Sequence, residues 1–517
     1  MPRDTFLSLP AEVLLEICRH LVISMQNQRY RFRPDGSGCD GGVETQTETS
    51  NALECRAALA RLMRTCKVMH SVAGCVLYSG YYNIRHPSEA VAFLQTLDPR
   101  STATTINGGG VRLDDDDDEV SAIGKQDFRL ELVRHLDVHN NVFSNSALDI
   151  DWSEEQLKSL EADWIVEAAH RLGIPFPKDW NQCRLECGPS DHVSEYMSQL
   201  LLRSLPNLAS LHVSLTRPWK FDLLRTWINN NDTANVGFLP NLRHLKIRLQ
   251  SIEARSSQSH KIIIDSAPLL ATLEIYDTSS FRIPKGSRLE HLRSITFANC
   301  STDRCSMENT LMATPNITRF EYHATASSTA AASPKNPPLT PQMLRHLLSN
   351  EFDLTDPPLR DDQGEVIHVE LPDLHLQLKT LVVDFPIGER MGYWTNEETI
   401  NNLRDFEELR HLSINVGSIT HQSQSGGEIT VNNLDELIPE NLECLRITRV
   451  GDCLDELTRV SLPDLACELK EGRFKSLNRV ELADCPVTEY QRMTIQHNLQ
   501  EMFGWQEDSR IRVSGCE

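Results

Sequence analysis

A short apolar pattern recurs along this chain and constrains its fold more than any other feature. The pattern is apolar-x-x-apolar-x-apolar, and its last two apolar residues alternate as in a β-strand with one buried face. Several copies follow the same Leu-Pro-Asn-Leu lead-in, as at 205–208 and 239–242, where the proline stops a preceding helix. Ten copies begin at Val133, Leu208, Leu242, Leu270, Leu292, Ile317, Leu378, Leu409, Leu442 and Leu477.

The pattern resembles the leucine-rich repeat, whose fuller form adds Asn or Cys three residues after the third apolar position. Asn141, Cys300 and Cys485 occupy that position, but the other copies carry different residues, and the spacing between copies is irregular. The resemblance implies an α/β fold over 128–517. We expect an irregular solenoid with parallel strands on its concave side and helices or loops on its convex side. An unrelated α/β sheet is the alternative.

Several segments between the strands have helical patterns. We expect helices at 153–172 and 193–203, weaker ones at 221–228, 341–348, 396–403 and 462–469, and a C-terminal capping helix at 488–503. The Ala/Ser/Pro-rich segment 324–341 is predicted to be a mobile surface loop.

The first residues of the chain predict a helix with apolar side chains on more than one face. Pro10 fits the first helical position, and Val13, Leu14, Ile17 and Leu21 form one apolar stripe. Leu15, Cys18 and Val22 widen that stripe beyond what an ordinary surface helix carries. The pattern therefore suggests burial on two sides, one of them against a partner.

The pattern Leu-Pro-x-Glu-Val-x-x-x-Ile-x-x-x-Leu at 9–21 resembles the first helix of the F-box family. Residues 58–78, with Cys66-Lys67 and Leu77-Tyr78, resemble the later helices of that module. The polar insert 24–52 departs from the compact family pattern, within a predicted F-box domain at 1–84. A generic helical hairpin is the alternative.

The F-box resemblance implies docking on the adaptor subunit of a cullin-based (SCF-type) ubiquitin ligase, and through it on a cullin. The residues that the resemblance places at the adaptor contact are Leu9, Pro10, Val13, Ile17, Leu21, Leu62, Cys66 and Met69.

Composition limits the classes of function. The formal net charge of −22 argues against general binding to nucleic acid or acidic membrane, which needs clustered Lys and Arg. No apolar run approaches the ~20 residues that span a bilayer. The 14 cysteines suit reduced, mostly buried thiols in a cytoplasmic or nuclear protein. Residues 85–127 hold an acidic run and three consecutive glycines, which predict a linker or loop.

Chemistry-bearing motifs are scarce. The sequence has no Gly-rich phosphate loop, no His-Glu-x-x-His and no Gly-x-Ser-x-Gly, so we expect no catalytic residues, metal or cofactor. The triplet Arg-His-Leu recurs at 134–136, 243–245 and 410–412. A row of metal-binding histidines is conceivable, but a repeated outward-facing position explains the triplets better.

Three functions follow in order of preference. The first is a non-catalytic substrate receptor whose F-box docks on the ligase adaptor and whose repeats bind a target protein. The second is a scaffold that keeps the F-box fold outside a ligase, and the third is an enzyme with an unrecognised site. Outward residues of the strands predict a polar target surface that includes Lys246, Arg319 and Arg446. Target contacts made by loops, with a merely solvated sheet, are the alternative.

Overall fold

The protein is described from a computed structural model of the full chain. The structure describes residues 133–138, 199–215, 238–249, 259–278, 287–325, 339–350, 371–385, 397–422, 429–485, 487–505 and 511–515. It also describes the strand Tyr81–Ile84 and isolated positions between 13 and 73, between 165 and 174, and at 281, 283, 394 and 395. The chain forms two compact units, Met1–Leu245 with Ser257–Pro268, and Lys246–Ser256 with Leu269–Glu517.

The first unit contains three strands that pair in parallel and in chain order. They are β1 (Tyr81–Ile84), β2 (His135–Val138) and β3 (Ser210–Leu215). Leu136 and Val138 of β2 are buried, as are Leu211 and Val213 of β3, which matches the alternation of the apolar pattern. Helix α1 (Ser259–Asp265) also belongs to this unit. Strand β4 (His244–Leu249) crosses the boundary between the units.

The second unit is built on a longer parallel sheet whose strands also follow one another in chain order. Neighbouring strands pair at equivalent positions of the pattern, so that apolar residues lie beside apolar ones, such as Leu381 beside Leu412. The antiparallel pair β10 and β11 lies outside this order. The strands are β5 (Thr272–Tyr276), β6 (Ser294–Cys300), β7 (Arg319–Ala324), β8 (Thr380–Asp384), β9 (His411–Asn415), β10 (Thr420–Gln422), β11 (Ile429–Val431), β12 (Cys444–Thr448), β13 (Arg479–Cys485) and β14 (Ile511–Gly515).

Helices lie between the strands of the second unit. They are α2 (Arg304–Ala313), α3 (Pro341–Ser349), α4 (Leu434–Leu437), α5 (Leu454–Glu456), α6 (Leu462–Lys470) and α7 (Glu489–Phe503). A π-helical turn, Leu457–Ser461, joins α5 to α6, and 3-10 turns lie at Leu374–Leu376, Val416–Ser418 and Gly451–Cys453. Thr488 and Gln491 form a capping box at the start of α7.

The predicted α/β class with parallel strands is confirmed, because each of the ten apolar patterns contains a strand. Helices α3, α6 and α7 coincide with the predicted helices at 341–348, 462–469 and 488–503. The helix predicted at 396–403 is wrong, since residues 397–403 form turns and extended chain. There the N–H groups of Ile400 and Leu403 donate to Ser418 and Leu437, so contacts with distant segments replace helical hydrogen bonds.

Several sequence predictions fall wholly or partly outside the described residues. Of the helix predicted at 153–172, residues 165, 166, 169 and 170 are described and helical, as are 199–203 of the helix predicted at 193–203, whereas 221–228 lies outside the described residues. The insert 24–52 and the linker 85–127 lie outside them entirely. Of the predicted loop 324–341, Ala324 ends β7 and Pro341 begins α3, whereas 326–338 lie outside the described residues. Among the residues that are described, no helix is both long and apolar enough to cross a membrane.

An aromatic cluster fills the buried side of the sheet from β6 to β8. The Phe297 ring lies 6.2 Å from Phe320 and 6.1 Å from Tyr322, and Tyr322 lies 5.1 Å from Phe385. The Tyr322 hydroxyl accepts a hydrogen bond from the N–H of Thr302 at 3.3 Å. Burial of these rings is the main stabilising contribution in this part of the sheet.

Side chains in the turns before the strands tie successive copies of the pattern together. Asparagines of the lead-in donate to a carbonyl in the turn of the preceding copy, as Asn316 does to Glu290 at 3.0 Å. The arginine that follows the first apolar residue of one copy donates to the main-chain carbonyl of the lead-in asparagine in the next copy, as Arg293 does to Asn316 at 3.2 Å. The asparagine bond recurs from Asn241 to Pro206 and from Asn441 to Glu407. The arginine bond recurs from Arg134 to Asn207 and from Arg410 to Asn441.

Candidate functional site

Two of the eight predicted adaptor contacts are described by the structure. Val13 is helical and 43% exposed, whereas its helical neighbours Leu14 and Cys18 are fully buried. Burial raises the pKa of the Cys18 thiol, which keeps it protonated at neutral pH. Leu62 is helical and half-buried, close in sequence to the buried Leu59. Leu9, Pro10, Ile17, Leu21, Cys66 and Met69 lie outside the described residues.

The predicted target residues Lys246, Arg319 and Arg446 all belong to the second unit. They occupy strand positions that alternate with buried residues, so their side chains lie on the face of the sheet opposite the core. The register places Arg446 between Ser413 and Glu481, and Glu321 between Thr296 and Val382. We call this surface of the second unit, from Lys246 of β4 to β14, the outward face.

Carboxylates pair with the predicted target residues on the outward face. Arg319 Nε donates to Glu321 Oε1 at 2.7 Å, and Glu321 also accepts from Thr296 Oγ1 at 3.2 Å. Arg446 Nε lies 3.7 Å from Glu481 Oε2, and Arg479 also pairs with Glu481. Each glutamate therefore lies at a junction between neighbouring strands, which fixes the positions of the basic side chains.

The partners in these pairs differ strongly in exposure. The guanidinium-bearing side chains of Arg319, Arg446, Arg449 and Arg479 are between 40% and 54% exposed. The carboxylate side chains that they contact are only 13% to 14% exposed and belong to Glu321, Asp384 and Glu481. Because the carboxylates lie beneath the guanidinium groups, the solvent-accessible layer here is cationic although the whole chain is acidic.

Asp384 is the most connected of these carboxylates. It accepts from Asn415 Nδ2 at 2.7 Å, and it lies 3.3 Å from Arg449 NH2 and 3.4 Å from His323 Nδ1. Burial alone would raise the pKa of Asp384, but the hydrogen bond from His323 and the charge of Arg449 outweigh it and lower the pKa. Asp384 is therefore an anion that links strands β7, β8 and β9 to the end of β12.

Arg449 adopts an unusual backbone conformation at this junction. It has φ 52, in the left-handed region, as do Asp277, Asn299 and Asp484, each of which lies two residues after the third apolar residue of its pattern. A non-glycine residue in this region is uncommon. Asp277 follows β5, whereas Asn299 and Asp484 lie within β6 and β13, where the register shifts. After β12 this conformation places Arg449 beside Asp384.

A second polar group lies on β4 to β6. Lys246 Nζ lies 3.9 Å from Glu274 Oε2 and 4.3 Å from the centroid of the Tyr276 ring. The Tyr276 hydroxyl donates to Glu274 at 3.0 Å, and burial together with Glu274 raises its pKa. Arg248 pairs with Asp277, which also accepts from Asn299 Nδ2 at 2.6 Å. Charges of opposite sign balance in this group.

The Arg-His-Leu triplets place their histidines at the first residue of a strand. In the first unit, His135 lies on β2 and His244 on β4, and His212 on β3 lies 3.0 Å from Asp137. Burial and the nearby His244 and Arg134 lower the pKa of His135, so it is neutral at pH 7. Within the described part of the chain, no three His, Cys, Asp or Glu side chains are grouped to hold a metal ion.

Period-two alternation places Glu321 and Glu481 on the same face as the predicted target residues, but sequence reasoning missed that they pair with the arginines, and it missed Asp384, Asn415 and Arg449. One signal was present, since Arg319/Glu321 and Arg479/Glu481 are opposite charges two residues apart and therefore share a face. The pairing of Arg446 with Glu481 depends on the strand register, which the sequence does not specify.

Comparison with protein-family models finds no match for the chain, and comparison with curated protein sequences finds none either.

Proposed function

We propose that the protein is a non-catalytic substrate receptor of a cullin-based ubiquitin ligase. The N-terminal segment acts as an F-box that binds the ligase adaptor, and the strand-rich part is an irregular leucine-rich-repeat solenoid that binds a target protein. A scaffold that uses the same two parts outside a ligase is the second candidate.

The exposure of Val13 carries the adaptor half of this proposal. Leu14 and Cys18 of the same helical segment are buried, so the segment already has one face against the protein. An exposed branched apolar side chain beside that face suits a contact with another chain. Burial of a Val side chain at an interface contributes about 1.5–3 kcal/mol.

The target half is supported by the order of the sheet and by its outward face. Successive copies of the pattern pair as neighbours, and recurrent Asn and Arg bonds join the turns of several successive copies, as expected of stacked repeats. The outward face is polar and rich in arginine, a residue that is enriched at protein interfaces.

Capture of the adaptor tests the proposal directly. Full-length protein should recover the adaptor and cullin from a cell extract, and a chain lacking residues 1–84 should not. The double variant Pro10→Ala with Ile17→Asp should lose the adaptor, as should Val13→Asp. Val166→Asp is the matched control, because Val166 is a helical valine that is 45% exposed.

The outcomes separate the two candidates. Loss of the adaptor in Val13→Asp but not in Val166→Asp supports the F-box assignment, provided that both variants keep the wild-type circular dichroism spectrum. Recovery of the adaptor without any cullin favours the scaffold. Full adaptor recovery by the Pro10/Ile17 double variant would contradict both candidates.

A further inference from the structure

We propose that the outward face between β7 and β13 binds an extended acidic peptide segment, with the carboxylates of that segment contacting Arg319 and Arg446. The inference deepens the proposed function, since it rests on the outward face being the target surface. Binding of a peptide and capture of the adaptor are separate measurements, so either idea can fail alone.

The layered arrangement of charges favours an acidic occupant. On the outward face of β7 to β14 and in the turn after β12, the exposed cations are Arg319, Arg446, Arg449, Arg479 and Arg512. The described carboxylates at the same junctions are Glu321, Asp384 and Glu481, which lie beneath them. Asp484 of β13, at the position of the pattern that Arg449 occupies after β12, adds an exposed carboxylate, so five guanidinium groups and four carboxylates leave a formal excess of one positive charge. An approaching molecule meets the guanidinium groups first.

Small side chains between the arginines leave room for a peptide. In register between Glu321 and Arg446 lie only Val382 of β8 and Ser413 of β9, and Thr380 of β8 lies beside Arg319. Val382, Ser413 and Thr380 are short, whereas the flanking arginines are long. The row through Val382 and Ser413 is therefore low and bounded by guanidinium groups on both sides, and the exposed His411 of β9 lies in the adjoining row beside Thr380.

The strand spacing sets the length of the segment that fits. β7 and β12 are three strand spacings apart, about 14 Å, and Arg446 lies two residues further along its strand than Arg319, so their Cα atoms are about 16 Å apart. An extended peptide that crosses the strands advances about 3.3 Å for each residue, so four residues span about 13 Å, and the long arginine side chains reach over the remaining distance. Because alternate side chains of an extended peptide point the same way, acidic residues at i and i+4 would both face the sheet. One would contact Arg319 and the other Arg446.

Because two arginines pair with one glutamate, a substitution of that glutamate should strengthen the binding of an acidic peptide, whereas substitutions of the arginines should weaken it. Glu481 holds both Arg446 and Arg479, so an incoming carboxylate must compete with it. The substitution Glu481→Gln removes that competition and adds one unit of positive charge to the outward face. It should therefore strengthen the binding of an acidic peptide, whereas it would weaken the binding of a basic one.

The experiment measures fluorescence anisotropy of labelled synthetic peptides with the full-length protein. The probe is a serine- and glycine-based peptide with glutamates at i and i+4. Matched peptides carry lysines at those positions, glutamates at i and i+1, or phosphoserines in place of the glutamates. A single-stranded oligonucleotide of similar charge is included. Each titration is repeated at low and high salt, because screening weakens contacts between exposed charges.

Arginine variants and a matched control locate the binding. Arg319→Gln and Arg446→Gln should each weaken the i, i+4 glutamate peptide about fivefold, equivalent to ~1 kcal/mol. Glu481→Gln should tighten it about two- to fivefold. Arg288→Gln should change nothing, since Arg288 is 76% exposed and 3.9 Å from Glu290 but precedes β6 at the strand-entry edge.

Each result decides for or against the proposal. The proposal is supported if the i, i+4 glutamate peptide binds more tightly than the matched peptides. Both arginine variants must also weaken this binding, and Glu481→Gln must strengthen it. The proposal is overturned if the glutamate peptide does not bind or if the lysine peptide binds equally well. It is also overturned if Arg288→Gln weakens binding as much as Arg319→Gln and Arg446→Gln do. Binding confined to the phosphoserine peptide or to the oligonucleotide would also overturn it, because the ligand would then not be a carboxylate-bearing segment.

Discussion

Replacing Asp384 with alanine should lower the free energy of unfolding of the second unit by about 1–3 kcal/mol at neutral pH. The magnitude follows from Asn415, which is 1% exposed and donates to Asp384 at 2.7 Å. Without the carboxylate, this buried amide loses its acceptor and the desolvation cost of the donor is no longer offset. Arg449 and His323 are more exposed and add less, because water replaces the lost partner.

The effect should depend on pH in one direction. The pKa of Asp384 is below its usual value in the folded protein, so its ionised form stabilises the fold above the unfolded-state pKa near 3.8. That stabilisation is lost as the pH falls through the folded-state pKa. The difference between wild type and Asp384→Ala should therefore be full at neutral pH and shrink as the pH falls below about 4.

Urea unfolding followed by circular dichroism between pH 7 and pH 3.5 measures both predictions. Hydrogen exchange of β8 and β9 assigns the change to this sheet. Glu290→Ala is the control, because Glu290 is 63% exposed and should change stability by less than about 0.5 kcal/mol. The reasoning is refuted if Asp384→Ala matches this control at pH 7, or if its deficit grows as the pH is lowered.

Three further predictions concern packing, capping and the insert. Phe297→Ala should destabilise the second unit by about 3–5 kcal/mol, measured by urea unfolding, because it opens a cavity among Phe320 and Tyr322; Phe297→Leu should cost much less. Thr488→Ala should destabilise α7 by about 1 kcal/mol, visible as faster hydrogen exchange at 489–503 and absent in Thr488→Ser. Replacing residues 24–52 with a short Gly/Ser link should preserve adaptor capture, since loop closure depends only weakly on length; lost capture by a folded variant would make the insert part of the adaptor-binding module.

Much of the sheet could be predicted because its signal is local. In β8, Leu381 and Val383 alternate with polar residues, and a buried face requires that alternation. Strand β1 and the pair β10 and β11 were not predicted, because they are short and lack the complete apolar pattern. The helix expected at 396–403 failed for a related reason, since bonds from Ile400 and Leu403 to distant carbonyls decide that segment.

The candidate site could be predicted only in part. Period-two alternation correctly places Lys246, Arg319 and Arg446 opposite the buried residues of their strands. It cannot reveal that Arg449 turns back towards Asp384, because that contact depends on a left-handed backbone conformation after β12. The relative exposure of the paired groups was also hidden, since it depends on how an arginine lies over a shorter carboxylate on its own strand or on a nearby one.

The paired carboxylates change how the outward face should be tested. Charge reversal at Lys246, Arg319 and Arg446 is the direct test of the predicted target surface, with lost target capture as the expected result. In the structure each of these residues lies beside a glutamate, so reversal would place two carboxylates side by side. Like charges directly opposite each other destabilise a sheet, and lost capture would then have two causes.

Neutral substitutions separate these causes. In Arg446→Gln, Glu481 keeps Arg479, and in Arg319→Gln, Glu321 keeps the hydroxyl of Thr296. Neither variant leaves a buried carboxylate without a partner, so both should unfold within about 0.5–1 kcal/mol of wild type. A loss of target capture in such a variant, without a comparable loss of stability, would assign the contact to the guanidinium group itself. Unchanged capture would instead move target recognition to the loops.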